Sequence, residues 1–213
     1  MVAAPRLLAP SVSDVVAASL PPRAEDDAEG MAYADLSGDL DLDRAEFFEC
    51  SFTRLVLDEF VSARTTFVDV SVSSVQSVTW AAAGSIWRNC SVIAGRVGSW
   101  DLSAATLRGV LVRGLRFGYV NLRDARLTDV LFEDCVFESV DMPGASSERV
   151  AFVDCRCEEI DLRGCTNADL DLRGLDFAAL RSISGARGAT ISDLQLSLVA
   201  PLLAAETGLL VEG

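Results

Sequence analysis

The chain has no histidine and no lysine, so all 18 of its basic residues are arginines. Without histidine the commonest general acid or base and the commonest metal ligand are both absent. No paired carboxylates stand in a pocket-forming motif and no glycine-rich phosphate loop occurs; Gly84, Gly95 and Gly98 read as turn residues. These absences lead us to expect a protein that is not an enzyme and carries no cofactor and no metal. Long apolar runs are missing too. Residues 1–20 are apolar but broken by Pro5, Arg6, Pro10 and Asp14, unlike the core of a signal peptide, and no stretch reaches membrane-spanning length. The expectation is a soluble, cytoplasmic protein.

Acid and apolar surface are what the chain does have. Half of its 213 residues are hydrophobic, enough for a large core, and 32 acids leave a net charge of -14. Such a surface repels nucleic acid and anionic membrane and attracts a basic protein partner. The six cysteines, Cys50, Cys90, Cys135, Cys155, Cys157 and Cys165, fit the role of small reduced core residues. A metal site among Cys135, Cys155 and Cys157 lacks zinc spacing, and a Cys135–Cys155 disulfide is not expected in a reducing compartment.

From Leu40 to Leu180 apolar residues recur every five positions, in two columns. In the column Leu40, Ala45, Cys50, Leu55, Phe60 and onward, only Thr65, Ser85 and Gly95 are not apolar; in the column Leu42, Phe47, Phe52, Leu57 and onward, only Ser62, Ser77, Ser147 and Asn167 are not. A period of five is neither helical nor that of a flat strand. Two inward residues spaced by two, then a polar turn, describe a short strand that bends and repeats, which must wind into a solenoid. A longer rhythm sets the number of sides. Ala45, Thr65, Ser85, Ala105, Ala125, Ala145 and Cys165 are small, whereas Leu40, Phe60, Trp80, Trp100, Val120, Val140 and Ile160 are larger, so four units make one coil. Phe60 beside Ser62 and Trp80 beside Ala82 read as volume compensation. The expected fold is an all-β solenoid, a four-sided β-helix of about seven coils with a C-terminal helical cap, roughly 30 to 35 Å long.

The units Ala34-Asp35-Leu36, Val120-Asn121-Leu122, Ile160-Asp161-Leu162 and Leu170-Asp171-Leu172, with Cys135-Val136-Phe137 as a variant, resemble the pentapeptide-repeat family, whose consensus is Ala-(Asp/Asn)-Leu-X-X. The resemblance covers about two thirds of the chain and implies a right-handed quadrilateral coil. Between Phe60 and Trp100 the middle Asp/Asn largely vanishes, at Val61, Thr66, Ser71, Gln76, Ala81, Ile86, Ser91 and Arg96. Some bacterial members are acidic rods that imitate duplex DNA, bind type II topoisomerases and alter quinolone sensitivity. The resemblance therefore implies a protein partner, with gyrase the first candidate, and no direct contact with nucleic acid.

Three segments are expected: an N-terminal arm and linker over 1–35, the repeat over 36–191, and a helix and tail over 192–213. In the first, Ser11 to Leu20 suits a short helix capped by Ser11 or Ser13 and stopped at Pro21-Pro22. The acidic run Arg23 to Gly30 reads as a mobile linker, and the arm as either irregular chain packed on the first coil or a disordered tail. Ala189-Thr190-Ile191 looks like a last unit shifted by one residue, and Ser192-Asp193 like a helix start, with Pro201 kinking or restarting the helix and Gly208 ending it. Leu194, Leu198 and Leu202, with Val199 and Leu203, recur at helical spacing and suit a cap on the open end of the core. Leu198, Leu202, Leu209 and Leu210, with Val211, add surface for a homodimer.

Candidate contact residues lie on the outside of the repeat. Glu133, Asp134, Glu138, Asp154, Glu158 and Glu159 should gather on adjoining sides of adjacent coils, and Asp101, Asn121, Asp141 and Asp161 should run up another. They suit either a docking surface for a basic partner or, respectively, solvated acids and turn hydrogen bonds. Val61, Val68, Val78, Ile86 and Ile93 should face outward as an apolar contact patch or as the seat of the arm. Two functions follow: an acidic rod docking on a DNA-handling protein, or a general interaction scaffold using the apolar middle coils or the C-terminal helix.

Overall fold

The computed structural model describes residues 2–12 and 14–210. Each inward pair of the five-residue unit stands on a short strand, and strands pair in parallel with the equivalent residues of the next coil. Phe60 lies beside Trp80, Trp80 beside Trp100 and Trp100 beside Val120, a displacement of twenty residues at every step. The result is a four-sided β-solenoid of about eight turns that ends in a single helix, α1 (Asp193–Thr207). The sides are numbered here by their outward residues: the first carries Val61 and its twenty-residue equivalents, the second Thr66, the third Ser71 and the fourth Gln76.

Two features of the backbone explain why the coil has corners where it does. At three corners the chain turns through a residue in the left-handed region, as at Arg64, Asp69 and Ser74 and again at Asp124, Asp129 and Asp134. Asp, Asn and Gly recur at these positions because they tolerate positive φ best, as at Asn89, Asp154, Asp169, Gly84 and Gly109. The corner between the fourth and first sides is extended instead, and strands such as Ser51–Val61, Ser71–Ala81 and Ile86–Asp101 run straight over it. There Gly98 must be glycine, since a Cβ would stand 2.5 Å from the carbonyl oxygen of Val78.

The interior is an aromatic and aliphatic stack. Phe60, Trp80, Trp100 and Phe117 are stacked in series at centroid separations of 4.6, 4.6 and 5.6 Å, and Phe132 stacks on Phe152 at 4.9 Å. Ser62 does more than make room. Its Oγ accepts from Trp80 Nε1 at 2.9 Å, as Ser85 Oγ does from Trp87 Nε1 at 2.8 Å. The small polar residues of the first column serve the turns. Thr65 Oγ1 donates to the carbonyl of Leu42 at 2.6 Å, and the buried thiols of Cys50, Cys90, Cys135 and Cys155 each reach the carbonyl two residues back.

The solenoid starts earlier than residue 36. Asp27–Glu29 pairs with Glu46–Phe48 and Met31–Ala34 with Ser51–Val61, so the acidic run expected as a mobile linker is already coil. In this first coil the displacement is nineteen, and an irregularity between Gly38 and Leu40 restores twenty. The shift moves Ala34-Asp35-Leu36 out of register: Tyr33 takes the inward place beside Phe52, Ala34 is exposed, and Asp35 occupies the left-handed corner. The helix expected over residues 11–20 does not form, since Val16–Ala17 is a strand paired with Met31–Ala32; Ser13 lies outside the described residues.

The N-terminal arm neither folds on the first coil alone nor trails away. It runs the length of the rod against the winding, held by one corner. Ala3 and Arg6 donate their backbone N–H groups to Asp169 and Asp129 at 3.1 and 2.9 Å, Asn89 Nδ2 donates to the carbonyl of Ala9, and the backbone N–H of Ser11 donates to Asp69. Three residues of extended chain, at about 3.3 Å each, cover two coils at about 4.8 Å each, so arm and corner keep step.

At the other end Ala189–Thr190 pairs with Leu170 and Asp171 at a displacement of nineteen, the shifted last unit expected there. Helix α1 starts at Ser192 with a capping box to Gln195 and stops at Gly208 in the left-handed conformation. It continues through Pro201 as one helix instead of restarting.

Candidate functional site

The outward side chains sort by register. Asp101, Asn121, Asp141 and Asp161 share one row of the first side, and most of them are engaged in turns. Asp101 accepts from the backbone N–H of Ser103 and from Asn121 Nδ2, and Asp161 from the backbone N–H of Arg163. Asp161 is only 2% exposed. Burial by itself would raise its carboxyl, but the hydrogen bonds and charge of Arg163 outweigh that and hold it below the usual range. Asp141 has Pro143 two residues on, which offers no N–H, so it accepts from Tyr119 Oη and Arg123 instead.

Glu133 and Glu159 are paired as well, with Arg113 and Arg181. Asp134, Glu138, Asp154 and Glu158 have no ion-pair partner among the described residues. Asp134 and Asp154 sit at the left-handed corner before the fourth side, and Glu138 and Glu158 stand towards its far end, so four carboxylates frame that side over residues 121–160. Val136 and Arg156 lie between them.

The apolar candidates are dispersed. Val61 is on the first side, Val68 and Ile86 on the second, Ile93 on the third and Val78 on the fourth. Only Val78 is strongly exposed; the others are half-buried. The arm occupies the corner between the second and third sides, next to Val68, while Ile93 lies at the far end of the third side.

On helix α1 the buried residues are Gln195 and Val199. Gln195 Nε2 donates to the carbonyls of Leu172 and Leu175 at 2.7 and 2.8 Å while its Oε1 accepts from the backbone N–H of Ser192, so one side chain caps both the helix and the last coil. Sequence reading passed over Gln195, although Ser192-Asp193-Leu194-Gln195 carries the capping-box spacing. The face expected to cap points partly the other way: Leu194, Leu198 and Leu202 are exposed, as are Leu209 and Leu210, and Val211 lies outside the described residues. A groove of about 930 Å³ runs between α1 and the last coils, lined by Asp154, Arg156, Asp176, Leu194 and Leu198 among others. The helix creates this concavity on an otherwise convex rod.

A further pattern was not read from the sequence. The charge is banded along the axis. Residues 81–120 carry five arginines, Arg88, Arg96, Arg108, Arg113 and Arg116, against the single acid Asp101, while both flanking stretches are acidic. The loss of Asp/Asn from the middle position between Phe60 and Trp100 overlaps the start of this band but does not display its excess of base.

The thiols of the core rows are raised except at Cys155, which its hydrogen bond with Cys135 lowers. Burial pushes Cys90 and Cys157 up to about 12, and at Cys135 the hydrogen bond with Cys155 and then burial act in the same direction. All six are free thiols, and no group of three metal-ligating side chains occurs among the described residues. No helix among them is long and apolar enough to cross a membrane.

Five residues to a unit and four units to a coil define the architecture as a pentapeptide-repeat β-solenoid. No family model matches the chain, and no curated protein matches it. Among solved structures it is similar to QnrB1, a plasmid-mediated fluoroquinolone resistance protein, at 16% identity over 92% of this chain and 96% of that one, with a TM-score of 0.29. It is also similar to HetL, a pentapeptide-repeat protein involved in heterocyst differentiation regulation from the cyanobacterium Nostoc sp. strain PCC 7120, at 14% identity over 80% and 91% of the two chains, TM-score 0.30. At such scores the overlays carry no functional argument, and the coil period stands on the chain's own ladders.

Proposed function

We propose that this protein acts by binding and not by catalysis, as a rod that docks an acidic surface on a basic protein partner. The observation that carries the reading is the set of unpaired carboxylates Asp134, Glu138, Asp154 and Glu158 framing the fourth side. Charges already neutralised by an arginine or a turn N–H have little left to offer a partner, whereas these four can steer and hold a cationic surface. The resemblance to acidic pentapeptide-repeat rods makes a type II topoisomerase such as gyrase the first partner to try. The basic band at residues 81–120 argues against imitation of duplex DNA along the whole rod and favours a local acidic contact. A supercoiling assay with purified gyrase tests the reading: inhibition or protection by micromolar protein is expected, and it should be lost on combined reversal to Lys at Asp134, Glu138, Asp154 and Glu158. Gyrase activity indifferent to the protein would rule gyrase out.

A second reading concerns α1. The exposure of Leu194, Leu198 and Leu202 beside the groove supports self-association through the helix, with a leucine of one copy entering the groove of the other. Solution mass by light scattering should give a dimer that the double change Leu198→Glu and Leu202→Glu converts to monomer; a monomeric parent protein would dismiss it.

A further inference from the structure

The basic band is concave at one place, and the arm completes it. Arg88 and Arg108 are register partners in adjacent strands of the second side, one coil apart. Arg6 arrives from the arm, whose backbone is fastened beside them through Asp129. Together with Leu8, Asn89, Gly109 and Asp129 these residues line a cavity of about 410 Å³. None of the three guanidinium groups has an ion-pair partner among the described residues. Asp129, the acid nearest to hand, is already held by Arg149 through two hydrogen bonds of 2.6 and 2.9 Å.

Three unpaired cations around one cavity repel one another, and like charges on register partners cost stability. The one acid in the lining, Asp129, is near Arg6 but is already taken up by Arg149, so the cavity keeps an excess of positive charge. Asn89, also in the lining, is held in place by its Nδ2, which donates to Asp69 and to the carbonyl of Ala9. The site therefore offers many N–H donors.

The geometry points to a binding site for a phosphate group, closed by the arm over Arg88 and Arg108. Guanidinium groups bind phosphate oxygens in paired hydrogen bonds. Because Arg6 belongs to the arm, the ligand bridges arm and solenoid. Occupancy should tighten the arm as well as fill the cavity.

Titration calorimetry with inorganic phosphate at constant ionic strength reads the first consequence, and tryptic cleavage after Arg6 the second. Saturable binding of one phosphate per chain below about 10 mM is expected, weakened about tenfold or more by the double change Arg88→Gln and Arg108→Gln. Phosphate should also slow cleavage after Arg6 in the parent protein and leave it unchanged in that variant. The control is Arg96→Gln with Arg116→Gln, a register pair of the same kind on the fourth side and away from the arm, which should bind phosphate as the parent does. A parallel titration with phosphoserine separates sources: tighter binding than inorganic phosphate assigns an esterified ligand, and weaker or equal binding a free one. No saturable binding of either, or equal losses in the two double variants, would overturn the site.

Discussion

At the residue scale the most informative atom is Trp100 Nε1, which is buried and has no hydrogen-bond partner. Trp80, one coil earlier, uses Ser62 as its acceptor, eighteen residues back. The equivalent position for Trp100 is Ala82, whose methyl group cannot accept. An unmet buried donor costs about 1–3 kcal/mol, so Ala82→Ser should stabilise the protein by about 1 kcal/mol and Ser62→Ala should destabilise it by a similar amount or more. Urea unfolding of the three proteins checks both signs. In the sequence the pairing of Trp80 with Ala82 reads as volume compensation, which sees the size of a side chain but not the direction of its N–H. Hydrogen-bond geometry between coils needs the register in space, and the five-residue columns do not supply it.

Elements are decided by how the ends of the solenoid are closed. Val199 covers the last coil, while Gln195 ties the helix start to the carbonyls of Leu172 and Leu175. Gln195→Ala would orphan two buried carbonyls and break the capping box, a loss of about 2–4 kcal/mol concentrated at the C-terminal end. Hydrogen exchange should then show α1 and Ala189–Thr190 opening while the coils near Trp80 keep their protection; uniform loss of protection would contradict a local role. The helix was legible from Ser192, Asp193 and Gly208 because caps are local signals. Its buried face was not, because Leu194, Leu198 and Leu202 are as helically spaced as the residues that pack. The arm was illegible for a different reason: its partners, Asp69, Asn89, Asp129 and Asp169, lie up to 166 residues away and show in the sequence only as corner residues.

For the whole molecule, the core pattern and the surface pattern differ in how far sequence determines them. The columns from Leu40 to Leu180 define the solenoid and its four sides, since every coil must bury the same interior. The extra coil was hidden by a one-residue irregularity near Gly38, which moves Ala34-Asp35-Leu36 out of phase. Outside, acids that look alike in sequence divide into those consumed by turns and arginines and those left free, and only the folded register separates Asp161 from Asp154. Surface charge is therefore not a uniform coat but a sequence of bands, acidic, basic and acidic again.

That the free carboxylates of the fourth side are the docking surface is the central claim, and a binding titration against purified gyrase at low and high salt tests it most directly. The parent protein should bind at low salt with an affinity that falls steeply as salt rises, because exposed charges are screened beyond about 10 Å at 0.1 M. Reversal of Asp134, Glu138, Asp154 and Glu158 to Lys should abolish that binding, while reversal of the arginine-paired Glu133 and Glu159 should weaken it far less. Binding that ignores salt and survives the fourfold reversal would contradict the account.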